Sequence, residues 1–158
     1  MPDIARRQAG RIVLLDEANR ILLFSLKTAK FTGGRPVWIT PGGGLTDGET
    51  FAMAAQRELR EETGLRSELG PHIWTWERYD PIQQRVLDER FFLVRVAEHT
   101  VDISGMEPDE QIEAGEFRWW SLVEIATSAD LFAPASLYSL LHALVSDDVA
   151  GTPTRIGR

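Results

Sequence analysis

The chain has 158 residues, 24 of them acidic and 17 basic, for a formal net charge of −7, and it holds no cysteine. A length of this order suits one domain with a sizeable core, and 43% hydrophobic with 26% charged residues excludes a fibrous or disordered class. The net negative field argues against duplex nucleic acid as a partner, and the absence of thiols excludes a disulfide, a thiolate nucleophile and a Cys-ligated zinc.

Residues 1–9 read as a short polar arm without the apolar run of a secretory leader. No stretch approaches the roughly 18 apolar residues of a membrane span. The expectation is a cytoplasmic protein with no membrane partner. Arg11–Leu15 and Ile21–Leu26 are short apolar runs around the polar turn 16–20, the pattern of a hairpin. Pro36–Thr40 reads as a short edge strand that begins with proline. Pro41-Gly42-Gly43-Gly44 is the densest breaker cluster. A helix is expected over 50–63, with Thr50 near its start and Gly64 ending it. Strands follow at 72–78 and 88–97, then an acidic loop at 102–113 and a short strand at 117–120, whose alternation buries one of Trp119 and Trp120. Ser121 caps a short helix, leucines at 137, 140, 141 and 144 mark a C-terminal helix over 133–145, and the tail from Asp147 is expected to fray. No repeat or linker divides the chain, so 1–158 is expected to be one domain with flexible ends at 1–9 and 148–158.

The chemistry concentrates in 43–65. On a helix, Glu58, Glu61 and Glu62 stand at i, i+3 and i+4 and share one face, while Ala52, Ala55 and Leu59 form an adjoining face that can pack on a sheet. Like charges so placed repel. A solvated acidic face is the ordinary reason for such a pattern, but a hard divalent cation turns the repulsion into attraction. Arg57 lies four residues before Glu61 and could orient it.

The stretch resembles the Nudix box: Gly, five residues, Glu, seven residues, then Arg-Glu-aliphatic-x-Glu-Glu-x-Gly-aliphatic. Gly43, Glu49, Arg57, Glu58, Leu59, Glu61, Glu62, Gly64 and Leu65 fill every specified position. Each fixed letter recurs by chance about one time in fifteen, which makes a full match in register a poor candidate for accident. The flanks Trp38-x-x-Pro41-Gly42-Gly43 and Glu116–Trp119 look similar to the family more loosely.

This resemblance implies an α/β fold, an α/β/α sandwich around a central mixed sheet. It also implies a pyrophosphohydrolase of a nucleoside diphosphate derivative or nucleoside triphosphate that uses Mg²⁺, with Mn²⁺ as an alternative. The implied metal ligands are Glu58, Glu61, Glu62 and the Gly43 carbonyl, with Glu49 bracing the loop. The implied catalytic set is Glu58, Glu61 and Arg57 with a glutamate outside the box, for which Glu113 leads, followed by Glu110 and Glu116. Substrate contacts are expected at Gly42, Gly43, Trp38, Trp76 and Tyr79, although such aromatic residues more often pack in a core. His72, His99 and His142 are scattered and read as structural or surface residues. The partner is then a small nucleotide-like diphosphate, and a homodimer stays open. A regulatory binding module on this fold is the competing reading, against which the intact box argues. The missing cysteine argues against the isopentenyl diphosphate isomerase branch.

Overall fold

The computed structural model describes residues 4–26, 33–106, 116–146 and 152–157. Nine strands among these residues form one mixed sheet, in the order β8-β3-β2-β1-β6-β5-β9, with β4 added to β1 and β7 to β2. The strands are β1 (Ala5–Leu15), β2 (Ile21–Leu26), β3 (Val37–Ile39), β4 (Gly42–Gly44), β5 (His72–Asp80), β6 (Arg85–Arg95), β7 (Phe117–Trp120), β8 (Leu131–Ala133) and β9 (Thr154–Arg155). The helices are α1 (Phe51–Thr63), α2 (Leu122–Thr127) and α3 (Leu137–Ser146).

Alternation along the central strands splits the core in two. Ile12, Leu14, Leu22 and Phe24 meet Ala55 and Leu59 of α1 on one face. Val13, Leu15, Leu23, Trp74 and Phe91 meet Leu137, Leu141 and Leu144 of α3 on the other. Helices on both faces of a mixed sheet give the sandwich expected from the sequence.

Three expectations change. Residues 5–9 are strand, because β6 supplies a parallel partner to every residue from Ala5 to Leu15. β3 is not an edge, since β8 pairs with it in parallel outside β2. Within the tail, Thr154–Arg155 pairs with β5, and Ile156 is buried with its amide donating to the Thr75 carbonyl at 2.8 Å. Each change comes from pairing with a segment distant in sequence, which local pattern cannot reveal.

Candidate active site

Pro41 to Leu45 is stitched to β1. The Ile12 amide donates to the Pro41 carbonyl at 2.9 Å, Gly10 pairs with Gly43, and the Leu45 amide donates to the Gln8 carbonyl at 3.0 Å. The breaker cluster therefore contains β4 rather than being loop throughout. A side chain at Gly42 is forbidden twice: its φ is 144°, and a Cβ there would lie 2.3 Å from the Gly10 carbonyl oxygen. A Cβ at Gly43 would lie 2.6 Å from Glu58 Oε1, so the bare glycine leaves room for that carboxylate.

The chain then turns into α1. The Thr50 hydroxyl caps it by accepting the Met53 amide at 3.1 Å, and Gly64 closes it at φ 76°. A close approach to the sheet aims the acidic face at β4. Glu62 Oε2 accepts the Gly42 amide at 3.0 Å. Burial raises the Glu62 pKa well above the usual carboxylate range, and the Glu58 charge raises it further. Glu58 Oε2 is buried, and the Glu58 side chain meets the Glu62 carboxyl.

Arg57 ties these parts together. Its Nε and Nη2 hold the two oxygens of Glu49 at 2.8 and 3.0 Å, Nη2 also donates to the Gly44 carbonyl at 3.0 Å, and Nη1 reaches Glu58 Oε1 at 2.8 Å and Glu61 Oε2 at 3.2 Å. The Arg57 fork, with help from the Thr46 amide, pulls the Glu49 pKa down to about 2. The same pairing raises the Arg57 pKa.

Two buried carboxyl groups side by side are a hard, oxygen-rich donor set, and they fit a divalent cation. As the side chains stand, no three acidic or histidine groups among the described residues converge as a coordination set. Arg57 engages Glu58 Oε1 and Glu61 Oε2.

Beside this cluster, on the sheet face opposite α1, lies a cavity of about 220 Å³ whose walls include Arg7, Arg11, Trp76, Arg78, Arg85 and Glu89. Glu89 is 7% exposed and pairs with both Arg11 and Arg78 at 3.4 Å. Arg11 also donates to the Thr40 carbonyl at 3.2 Å, next to the Pro41–Gly44 turn.

The structure thus brings together Gly42, Gly43, Arg57, Glu58, Glu61 and Glu62. Trp38 requires a correction. It is 5% exposed, its indole N–H donates to Asp130 Oδ2 at 2.9 Å, and its ring meets Trp120 edge-on, so it packs and presents no face to a base. Trp76 is buried in the cavity wall with the Arg78 guanidinium 3.5 Å from its ring centre. Tyr79 is exposed and lines a neighbouring cavity with Trp76 and Ile156. Glu110 and Glu113 lie outside the described residues. Glu116 is exposed, and its backbone bonds to Ser25. The histidines are structural where they bond: His99 Nε2 meets the Thr63 carbonyl at 2.7 Å, and His72 meets Trp74 and Thr75. Sequence reasoning missed Arg7, Arg11, Arg85 and Glu89. The alternation of Arg7, Ala9 and Arg11 was the available signal, hidden by taking 1–9 as an arm.

Comparison with known proteins gives the family and the fold. The family model for the NUDIX domain matches residues 5–142. An RNA pyrophosphohydrolase of Dinoroseobacter shibae is 32% identical over 141 residues, which cover 81% of this chain and 82% of that protein. A MutT protein structure from Methanosarcina mazei superposes with a TM-score of 0.68 at 20% identity, covering 90% of this chain and 94% of its own. A C. elegans Ap4A hydrolase superposes at 0.65 with 19% identity, covering 89% and 98%. At such identities the two structures speak for the fold alone. With the family model matched over most of the chain and every box position filled, the chain belongs to the NUDIX domain family.

Proposed function

We propose that this Nudix hydrolase cleaves the diphosphate linkage of a nucleoside diphosphate derivative or nucleoside triphosphate by attack of water on phosphorus, with Mg²⁺ or Mn²⁺ as its cation. Nudix hydrolases generally need a divalent metal. The observation that carries the reading is the buried Glu58–Glu62 pair beside an arginine-lined cavity.

Glu58, Glu61, Glu62 and the Gly43 carbonyl would hold the cation. When bound, such a cation neutralises phosphoryl oxygens and acidifies water. Positioning and charge neutralisation dominate phosphoryl transfer, and here they fall to the chain's own groups. Arg57 holds the Gly44 carbonyl and Glu49 while steering Glu58 and Glu61. Glu61, less buried than Glu58, takes the proton from the attacking water in this scheme, with Glu113 as the alternative base. Arg11 and Arg78, fixed by Glu89, line the path of the phosphates. The substrate is a small nucleotide. The cytoplasm is the inferred compartment, and among the described residues no helix is long and apolar enough to cross a membrane.

A panel of nucleotide anhydrides with Mg²⁺ and Mn²⁺, scored for released phosphate or pyrophosphate, tests the proposal. Metal-dependent turnover is expected, falling by at least about a hundredfold in Glu62→Gln, because loss of a ligand exceeds the usual effect of losing its support. An unchanged rate in that variant overturns the role of Glu62. No hydrolysis of any anhydride overturns the function.

A further inference from the structure

The arginine-lined cavity does not end at Arg7 and Arg85. Both also line a second cavity, of about 320 Å³, whose wall adds Arg6 and the Gly44–Leu45 turn. Strand geometry explains the cluster. β1 and β6 run in parallel with Ala5 opposite Arg85 and Arg7 opposite Leu87, so Arg7, Arg11, Arg85 and Glu89 alternate onto one sheet face. The first cavity then has four guanidinium groups in its wall against the single carboxylate of Glu89.

Glu89 is already shared between Arg11 and Arg78. Among the described residues, Arg7 and Arg85 have no ion-pair partner, and Arg85 Nε is buried without a hydrogen bond. Burial, together with the charges of Arg11 and Arg85, lowers the Arg7 pKa. Unpaired cations crowded at a boundary between two cavities gain from an anion that spans it. A scissile diphosphate would be met by the cation that the carboxylates are inferred to hold and by Arg11 and Arg78, which would leave the Arg7 and Arg85 forks without an anion.

We propose that Arg7 and Arg85 clamp phosphate beyond the scissile pair, so the preferred substrate carries three or more consecutive phosphates rather than a diphosphate capped by a neutral sugar. The inference rests on the hydrolase function above and narrows its substrate. Planar forks suit phosphate oxygens bidentately.

The test compares kcat/KM for a nucleoside triphosphate and a dinucleoside tetraphosphate with that for ADP-ribose, in Mg²⁺. The phosphate-rich substrates should lead, and Arg85→Gln and Arg7→Gln should each cut that ratio about tenfold, as expected for a hydrogen bond to a charged group. Arg85→Lys, which keeps the charge and loses the fork, should fall between. Calorimetric binding of inorganic tripolyphosphate in EDTA gives a readout free of turnover. Wild type should bind it more tightly than pyrophosphate, and both glutamine variants should lose that difference. Arg7 is exposed, so its variant keeps the test valid should Arg85→Gln misfold. An equal or higher kcat/KM for ADP-ribose, or glutamine variants that leave both the ratio and tripolyphosphate affinity unchanged, overturns the clamp and leaves the hydrolase standing. Absence of all anhydride hydrolysis overturns the hydrolase, while tripolyphosphate binding still judges the clamp.

Discussion

Two glutamates of the box titrate in opposite directions, and the difference sets how the protein responds to pH. Burial and the Glu58 charge raise the Glu62 pKa above its ordinary 4.5, so the cation-free fold retains a proton that the unfolded chain releases. Stability from that proton is fully present below 4.5 and is lost as pH rises through the folded value. Melting temperature without metal should therefore decline as pH rises above 4.5, while Mg²⁺ restores more of it at higher pH than at lower. Glu62→Gln should remove its share of the slope, and thermal melts with and without EDTA measure it. Glu49 works the other way. Arg57 holds its pKa down to about 2, so its contribution is present above 4.5 and disappears as pH falls toward 2.

At the scale of elements, α1 depends on the bare backbone of β1. A Cβ at Gly10 would lie 2.4 Å from the Phe51 carbonyl oxygen and 2.7 Å from the Ala55 amide nitrogen. Both atoms belong to helix backbone, which cannot swing aside as a side chain does. Gly10→Ala should destabilise the fold by about 1–3 kcal/mol, the usual cost of overpacking. It should also lower kcat by shifting Glu58 and Glu62 relative to β4. Urea unfolding and steady-state rates on one preparation check both effects. The same contact shows why α1 was legible and its platform only partly so. The Thr50 cap, the terminal Gly64 and the spacing of Ala55 and Leu59 are local signals, and the helix lies within one residue of expectation. β4 is three glycines, which carry no strand preference, and the start of β1 is polar on both faces. Arg7 and Arg11 therefore escaped notice as site residues, although they sit beside carboxylates that the box spelled out. Trp38 differs in the opposite sense, because an aromatic residue near a binding motif looks the same in sequence whether it stacks on a base or packs edge-on against Trp120.

Across the whole molecule, the sheet is completed by short strands from late in the chain. β7, β8 and β9 attach to β2, β3 and β5, and so fasten the C-terminal part to the N-terminal half. No periodicity in a three- or two-residue strand announces its partner, which is why the sandwich was legible from the family resemblance and its edges were not. Ile156 belongs to the larger core cluster despite lying only two positions before Arg158. Ile156→Ala should cost about 2–4 kcal/mol, typical of emptying a buried aliphatic site. Chemical denaturation would register that loss, whereas a frayed tail would register almost none.

The guanidinium of Arg57 lies against the same carboxylates that are inferred to bind the ion. While it sits against Glu58 and Glu61, part of their charge is already answered, and an incoming ion must outbid it. Sodium or potassium, with a single charge and oxygen shells they surrender for little gain, lose that contest where a small dication prevails. The bridge that orders these carboxylates would thus also weigh against ions of low charge density.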